Sequence, residues 1–141
     1  MKRLTILTIL ALAMSVFTLS GCGVVTPAGK ASANLTPTSK PNYTDVFDAA
    51  VKACHELDLP IILAGKDTGS IQCGYENDHI DSSKISYKVT ALIERDTAQF
   101  VENVSIKVYS MAGMISRTTS DADANAFAQR YLDIMQREGV K

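Results

Sequence analysis

The spacing of apolar residues changes several times along the chain, and each change predicts a different element. Residues 4–19 are uncharged and rich in Leu, Ile, Ala and Val. Residues 42–57 and 120–139 carry apolar side chains at helical spacing, whereas residues 85–93 and 104–109 alternate with the period of a strand. The pattern therefore predicts an apolar leader, a helix, a long hairpin and a closing helix.

Both predicted helices carry end signals. Asn42 can cap the first helix with Asp45 three residues on, and Ser120 can cap the last with Asp123. Gly139 is typical of a helix end. The apolar face of the first helix comprises Phe47, Ala50, Val51, Cys54 and Leu57. That of the last comprises Phe127, Ala128, Tyr131, Ile134 and Met135.

The remaining apolar runs are short and favour additional strands. Residues 61–63 follow Pro60, and residues 71–75 alternate after a turn. An antiparallel sheet of three to four strands, with both helices on one face, buries all these stripes. We therefore predict an α+β domain over residues 42–138, with Tyr109 and Val101 facing away from the helices as a surface for a partner.

The leader has the layout of an export signal. Lys2 and Arg3 precede the apolar run, and Leu19-Ser20-Gly21-Cys22 follows it. This tetrapeptide resembles the bacterial lipobox. The resemblance implies that residues 1–21 are a signal peptide, that the chain is cut before Cys22, and that Cys22 carries the lipid, including palmitate, that anchors the chain in a membrane.

The residues after Cys22 indicate which membrane holds the chain and how the domain is connected to the lipid. The resemblance, with Gly23 instead of Asp, implies the periplasmic side of the outer membrane if the organism is Gram-negative. Residues 22–41 contain three prolines and many small residues, so we expect a flexible tether. The predicted partners are the membrane, through the lipid on Cys22, and an envelope protein.

Length and charge narrow the classes of function. The chain of 141 residues suits one folded domain. Without residues 1–21 it keeps 12 basic and 15 acidic side chains, a net charge of −3. A weakly acidic domain with no run of Lys or Arg lacks the signature of a nucleic-acid-binding protein, so no nucleic-acid partner is expected.

The two remaining cysteines, Cys54 and Cys73, lie on predicted core-facing positions in an oxidising compartment. They could form a disulfide, or remain two buried thiols that act as small apolar side chains. A zinc site would add His55 and His79, but adjacent residues on a helix point about 100° apart, which separates His55 from Cys54. We predict no metal site.

Candidate catalytic groups are few. No Gly-x-Ser-x-Gly motif and no phosphate-binding glycine loop occurs. Glu94 and Asp96 fall in a predicted hairpin turn, and the segment with Asp78, His79 and Asp81 is predicted to be a solvated loop. The sequence predicts no enzyme activity and no cofactor.

The order of elements resembles the small α-β-β-β-α domains of bacterial lipoproteins. The stretch that carries the resemblance is Asp67-Thr68-Gly69-Ser70-Ile71 between the first helix and the long strands. The domain is also similar in style to the helix-grip modules of the lipoprotein C subunit of the β-barrel assembly machine. The resemblance implies a non-enzymatic envelope binding or assembly module. A small-ligand carrier or enzyme with an unrecognised site, and a structural surface lipoprotein, are the alternatives.

Overall fold

The computed structural model describes residues 27–75, 84–113 and 118–139. In this part of the chain the elements are β1 (Pro27–Leu35), α1 (Tyr43–Glu56), β2 (Ile61–Gly65), β3 (Ser70–Gly74), β4 (Ile85–Arg95), β5 (Val101–Ala112) and α2 (Asp121–Glu138). The strands form one antiparallel sheet in the order β1-β5-β4-β3-β2. The α+β class is confirmed. None of the described helices is both long enough and apolar enough to cross a membrane.

The sheet has five strands, where the sequence predicted three or four. The additional strand, β1, occupies Pro27–Leu35, in the middle of the segment predicted as a tether. It pairs with β5 from Pro27↔Met111 to Leu35↔Val104. The prediction of a flexible tether over residues 22–41 was therefore wrong for Pro27–Leu35, and the folded part of the chain begins well before residue 42.

The side chains of β1 are mostly small. They fit closely beside β5 and α2, and they give only a weak alternation of apolar and polar residues in the sequence. Ala31 is buried, and Ala33 and Leu35 pack against the core beside β5. A Cβ atom at Gly29 would collide with the carbonyl oxygen of Ser120 at the start of α2. The absence of a side chain at Gly29 therefore lets α2 approach β1 closely.

The helix ends agree with their predicted capping residues. The Asn42 side chain accepts a hydrogen bond from the backbone N–H of Thr44 at 2.8 Å. At α2, the Ser120 N–H donates to the Asp123 carboxylate at 2.9 Å, and the Asp123 N–H donates to Ser120 Oγ at 3.3 Å. This reciprocal pair is a capping box, and α2 ends at Gly139 as predicted.

Both helices pack on the same face of the sheet. Residues of β3, β4 and β5 that point to this face pair side by side, as in Cys73↔Val89↔Val108 and Ile71↔Ala91↔Ile106. The largest fully buried side chains of the core are Tyr43, Tyr131, Ile71, Ile106, Met135, Val46, Val89, Val104 and Val108. The two helices therefore cover one face of the sheet, and neither of them contacts the opposite face.

Val101 belongs to this core and does not face away from the helices. Its side chain is 3% exposed. The register between β4 and β5 shifts between Glu94 and Arg95, so that Arg95 pairs with Val101. A bulge of this kind turns the following residues to the other face, and strand alternation alone cannot predict it. The expectation for Val101 was wrong for this reason.

Candidate binding surface

The face of the sheet opposite the helices is covered by neither α1 nor α2. Its residues alternate with the core residues of each strand. We call it the open face and define it by Lys30, Ser32, Asn34, Gln72, Lys88, Thr90, Leu92, Ser105, Lys107 and Tyr109. Tyr109 lies on this face, as the sequence predicted, since its neighbours Val108 and Ser110 are buried on the helix side.

The half of the open face near β1 is cationic. Tyr109 in β5 lies directly opposite Lys30 in β1 and Lys88 in β4. Lys107 occupies the next row on the same face, between Ser32 and Thr90. We call Lys30, Lys88 and Lys107 the lysine patch. Directly opposed residues have Cβ atoms about 5 Å apart, so Lys30 and Lys88 flank Tyr109 on the two neighbouring strands.

Near β2 the sheet exposes apolar side chains, and β2 forms the edge of the described sheet. β2 pairs with β3 on one side and with no described strand on the other. Ile62 and Leu63 are 37% and 52% exposed, and Leu92 lies on the same face at 41%. No residue of Ile61–Gly65 is charged. This edge therefore offers unpaired backbone groups beside exposed apolar side chains.

A cleft of about 290 Å³ opens at one end of the helix side. Aromatic rings line it: Tyr87 and Phe127 stack with their centroids 3.9 Å apart, and Tyr75 donates a hydrogen bond to the carbonyl oxygen of Asp58 at 2.9 Å. Asp58 and Lys84 bring charge to its rim. Its size is near the lower limit of small-ligand sites, at roughly 300 Å³.

Cys54 and Cys73 come together under α1. Their sulfur atoms are 2.11 Å apart, at disulfide-bonding distance, and their Cα atoms are 6.2 Å apart. Both residues are fully buried. The Tyr131 hydroxyl lies 3.8 Å from Cys54 Sγ and donates to the carbonyl oxygen of Ala50 at 2.9 Å. Burial raises the pKa of Tyr131 well above its ordinary value.

The other residues singled out in the sequence lie apart. His55 is exposed on α1, whereas Asp78, His79 and Asp81 fall outside the described residues, as does the proposed lipidation site Cys22. Across residues 27–75, 84–113 and 118–139, no three His, Cys, Asp or Glu side chains are grouped so as to hold a metal ion.

Of the two carboxylates predicted in the hairpin turn, Asp96 lies there, whereas Glu94 lies within β4, so its placement was wrong. Asp96 Oδ1 accepts hydrogen bonds from the backbone N–H groups of Ala98 and Phe100, both at 2.9 Å. Glu94 accepts a hydrogen bond from the side chain of Asn103 at 3.4 Å. Asp96 thus closes the turn between β4 and β5, while Glu94 lies across the hairpin from its partner.

A charged cluster joins the ends of the two helices. Arg137 contacts Glu56 at 2.6 Å and Glu138 at 3.1 Å, and Lys52 pairs with Glu138. The hydrogen bond from Lys52 lowers the pKa of Glu138, and the hydrogen bond to Glu56 raises the pKa of Arg137. Because these groups are exposed, the cluster contributes little to stability.

The lysine patch is the feature that sequence reasoning missed. Lys88 and Lys107 stand at polar positions of alternating strands, which already places each on an outward face. Lys30 lies in the segment predicted as a tether, and the register that brings the three together is not visible in a linear charge count.

Neither a protein-family model nor a curated protein matches this chain in sequence.

Proposed function

We propose that the chain is a lipid-anchored bacterial envelope protein whose domain is a non-enzymatic binding or assembly module. The lipobox-like tetrapeptide ending at Cys22 supports the anchor. The exposed edge of β2, with Ile62 and Leu63, carries the proposal of a binding module. An envelope protein that adds a strand to this edge would bury the apolar side chains and satisfy the backbone groups together.

The local geometry of β2 limits the form of this contact. The register shifts between Ile61 and Leu63, so regular pairing to a partner is confined to the three residues from Leu63 to Gly65. Three residues of ladder give a weak contact by themselves, because a hydrogen bond contributes only about 1 kcal/mol net. Burial of Leu63 and Ile62 therefore supplies most of the affinity in this proposal.

Site-specific crosslinking in intact envelopes tests the contact. A photo-crosslinking amino acid at Leu63 should yield a discrete adduct of one envelope protein. The same amino acid at Gln129, exposed on the outer side of α2, should not. Placing a charge on the edge with Ile62→Lys should abolish the adduct, since a buried unpaired ammonium is costly.

The matched variant Gln136→Lys puts the same charge on the outer side of α2 and should leave the adduct unchanged. An adduct that forms equally from Leu63 and Gln129, or that survives Ile62→Lys, would contradict a binding role for the β2 edge.

The aromatic cleft favours a second candidate, a small-ligand carrier. Three aromatic rings, from Tyr75, Tyr87 and Phe127, meet around its volume of about 290 Å³. Native mass spectrometry of protein purified from envelopes should then show a retained small molecule of fixed mass. Phe127→Ala should release it and Gln136→Ala should not; a bare protein mass in every preparation argues against a carrier.

A further inference from the structure

We propose that the lysine patch and Tyr109 dock on the anionic phospholipid headgroups of the membrane that carries the anchor. The proposal rests on the proposed lipidation of Cys22 and assigns to the cationic half of the open face a partner different from that of the β2 edge. The occupant is the lipid surface itself.

The three ammonium groups are available for an external anion. Among the described residues, no carboxylate lies within 4.0 Å of Lys30, Lys88 or Lys107 to form a salt bridge. Asp121, at the edge of β1, accepts a hydrogen bond from the backbone N–H of Lys30. Glu94, the acidic residue paired with Asn103 on this hairpin, is separated from Lys107 by the Leu92↔Ser105 row.

The position of β1 brings this half of the sheet to the membrane. Only residues 23–26 separate Cys22 from Pro27, the first residue of β1. Even fully extended, the five steps from Cys22 to Pro27 span at most about 18 Å. Lys30 lies three residues further along the same strand. An anchored chain therefore holds the lysine patch within reach of the headgroups, whereas β2 lies at the opposite edge of the sheet.

The distribution of charge favours one orientation. The helices α1 and α2 together carry seven acidic and three basic side chains. A helix layer about 10 Å thick separates their outer surface from the sheet. Apart from Asp121, which contacts the Lys30 backbone, the helix carboxylates lie beyond this layer. Electrostatic screening acts over about 8 Å at physiological ionic strength, so these distant carboxylates do not cancel the attraction of the lysine patch for a nearby anionic surface.

Tyr109 suits the same location. Its side chain is half-buried, and Lys30 and Lys88 are its neighbours across the sheet. Tyr side chains favour the boundary between apolar and aqueous media because the ring is apolar and the hydroxyl is polar. Contact of Tyr109 with the headgroup region is the observable consequence.

A tryptophan at this position reports the contact, because the chain contains no Trp. Lipidated Tyr109→Trp protein, from the full precursor, is reconstituted in vesicles that contain a headgroup nitroxide quencher. We compare phosphatidylcholine alone with phosphatidylcholine containing one quarter phosphatidylglycerol. Each lysine near an anionic surface should raise the ratio of docked to undocked protein about fivefold. Three lysines should therefore raise this ratio on the order of 100-fold. Quenching should therefore rise severalfold with phosphatidylglycerol. It should fall back in 0.5 M salt, because electrostatic attraction is then screened over about 4 Å.

Two controls separate the patch from net charge and from proximity. Gln129→Trp, on the outer side of α2, should show little quenching in either vesicle. Added to Tyr109→Trp, the changes Lys30→Gln, Lys88→Gln and Lys107→Gln should together remove the dependence on phosphatidylglycerol. Lys52→Gln with Lys66→Gln and Arg130→Gln makes the same change in net charge on the helix side and should preserve it.

The outcomes distinguish anchoring from docking. Metabolic palmitate label on the protein, absent from Cys22→Ala, establishes the anchor first; its absence would overturn anchoring and docking together. In protein that carries the palmitate label, two results would overturn the docking but not the anchor. One is equal quenching in both vesicles, and the other is an equal loss of the dependence on phosphatidylglycerol in the two triple variants. Quenching that also needs peptidoglycan or a protein would assign the open face to that partner and overturn the lipid.

Discussion

At the scale of single residues, two buried contacts connect α1 to its neighbours: the cysteine pair and the hydrogen bond of the Tyr131 hydroxyl. The sulfur atoms of Cys54 in α1 and Cys73 in β3 lie at disulfide-bonding distance, and the Tyr131 hydroxyl of α2 donates to the carbonyl oxygen of Ala50 in α1. Both contacts join residues from different elements inside the core. Each can be removed without altering the exposed surfaces, so each isolates a contribution to stability.

The cysteine pair is predicted to be oxidised in the exported protein. Loss of the bond in Cys54→Ala with Cys73→Ala should lower the free energy of unfolding by about 3 kcal/mol, because the bond restricts a loop of about 20 residues in the unfolded chain. Urea unfolding measures this, and reductant should lower the wild-type value but not that of the double variant. Complete alkylation of the unfolded wild type without reductant would contradict the bond.

Tyr131 gives a pH dependence whose sign follows from its burial. Because the pKa of Tyr131 is raised in the folded state, the unfolded chain releases the proton first as the pH rises past about 10. The contribution of Tyr131 to the free energy of unfolding is therefore constant below this pH and falls above it. Tyr131→Phe should cost about 1 kcal/mol at pH 7 through the lost hydrogen bond and should flatten the alkaline decline.

Unfolding of both proteins between pH 7 and 11, without reductant, measures this difference. Tyr75→Phe is the matched control, since its hydroxyl contacts the carbonyl oxygen of Asp58 at a half-buried site. An equal alkaline slope in the wild type and Tyr131→Phe would be inconsistent with a burial effect.

At the scale of elements, β1 changes the architecture most. It covers one side of β5 and contacts the start of α2 through Gly29 and through the hydrogen bond from the Lys30 N–H to Asp121. Because the Lys30 N–H points away from β5, alternation directs the N–H of Ala33 toward β5 and that of Ser32 away from it. This difference provides a direct test of the strand.

Proline substitution at the two positions should have unequal effects. Ala33→Pro removes a hydrogen bond of the ladder and should destabilise the domain by about 3 kcal/mol. Ser32→Pro places the ring on the outer edge, where proline is tolerated, and should cost far less. Urea unfolding with the disulfide intact compares them; equal small losses would mean that Pro27–Leu35 is a loose connector.

The elements differ in how far the sequence predicts them. Asn42, Ser120 and Asp123 act within their own helix turns, so local chemistry predicts the helix ends. The strand β1 depends on partners about 75 residues away, and its core side chains are mostly alanine, which gives a faint apolar period. The bulge that turns Val101 inward likewise depends on pairing and not on local preference.

The candidate surfaces follow the same division. The alternation around Tyr109 predicts that this side chain faces away from the helices, and the structure places it there. The lysine patch requires the register of three strands, of which β1 was not predicted. The free edge of β2 requires the order of strands in the sheet, which no local pattern supplies.

At the scale of the whole molecule, the two proposed contacts lie at opposite edges of one sheet. The proposed anchor would precede β1, and the exposed edge of β2 is four strands away. Neighbouring strands are about 4.8 Å apart, so the edges are separated by about 19 Å. A partner can therefore reach β2 while the lysine patch remains on the membrane.

Removal of the anchor tests the whole arrangement. Cys22→Ala should abolish palmitate labelling and leave the protein as an unprocessed or soluble form. Its domain should unfold at the same urea concentration as the wild type, because Cys22 lies outside the strands and helices described here. Fractionation, labelling and urea unfolding measure the three outcomes. Palmitate that persists on the variant would contradict the role of Cys22.

The short span between Cys22 and β1 also bears on timing during export. β1 pairs with residues 104–111, which in the proposed export would leave the membrane after Cys22. Once paired, β1 would hold the cleavage site within about 18 Å of a folded domain, too close for easy entry into a peptidase embedded in the bilayer. Under the proposed lipidation, we therefore expect cleavage and acylation to precede the pairing of β1 with β5.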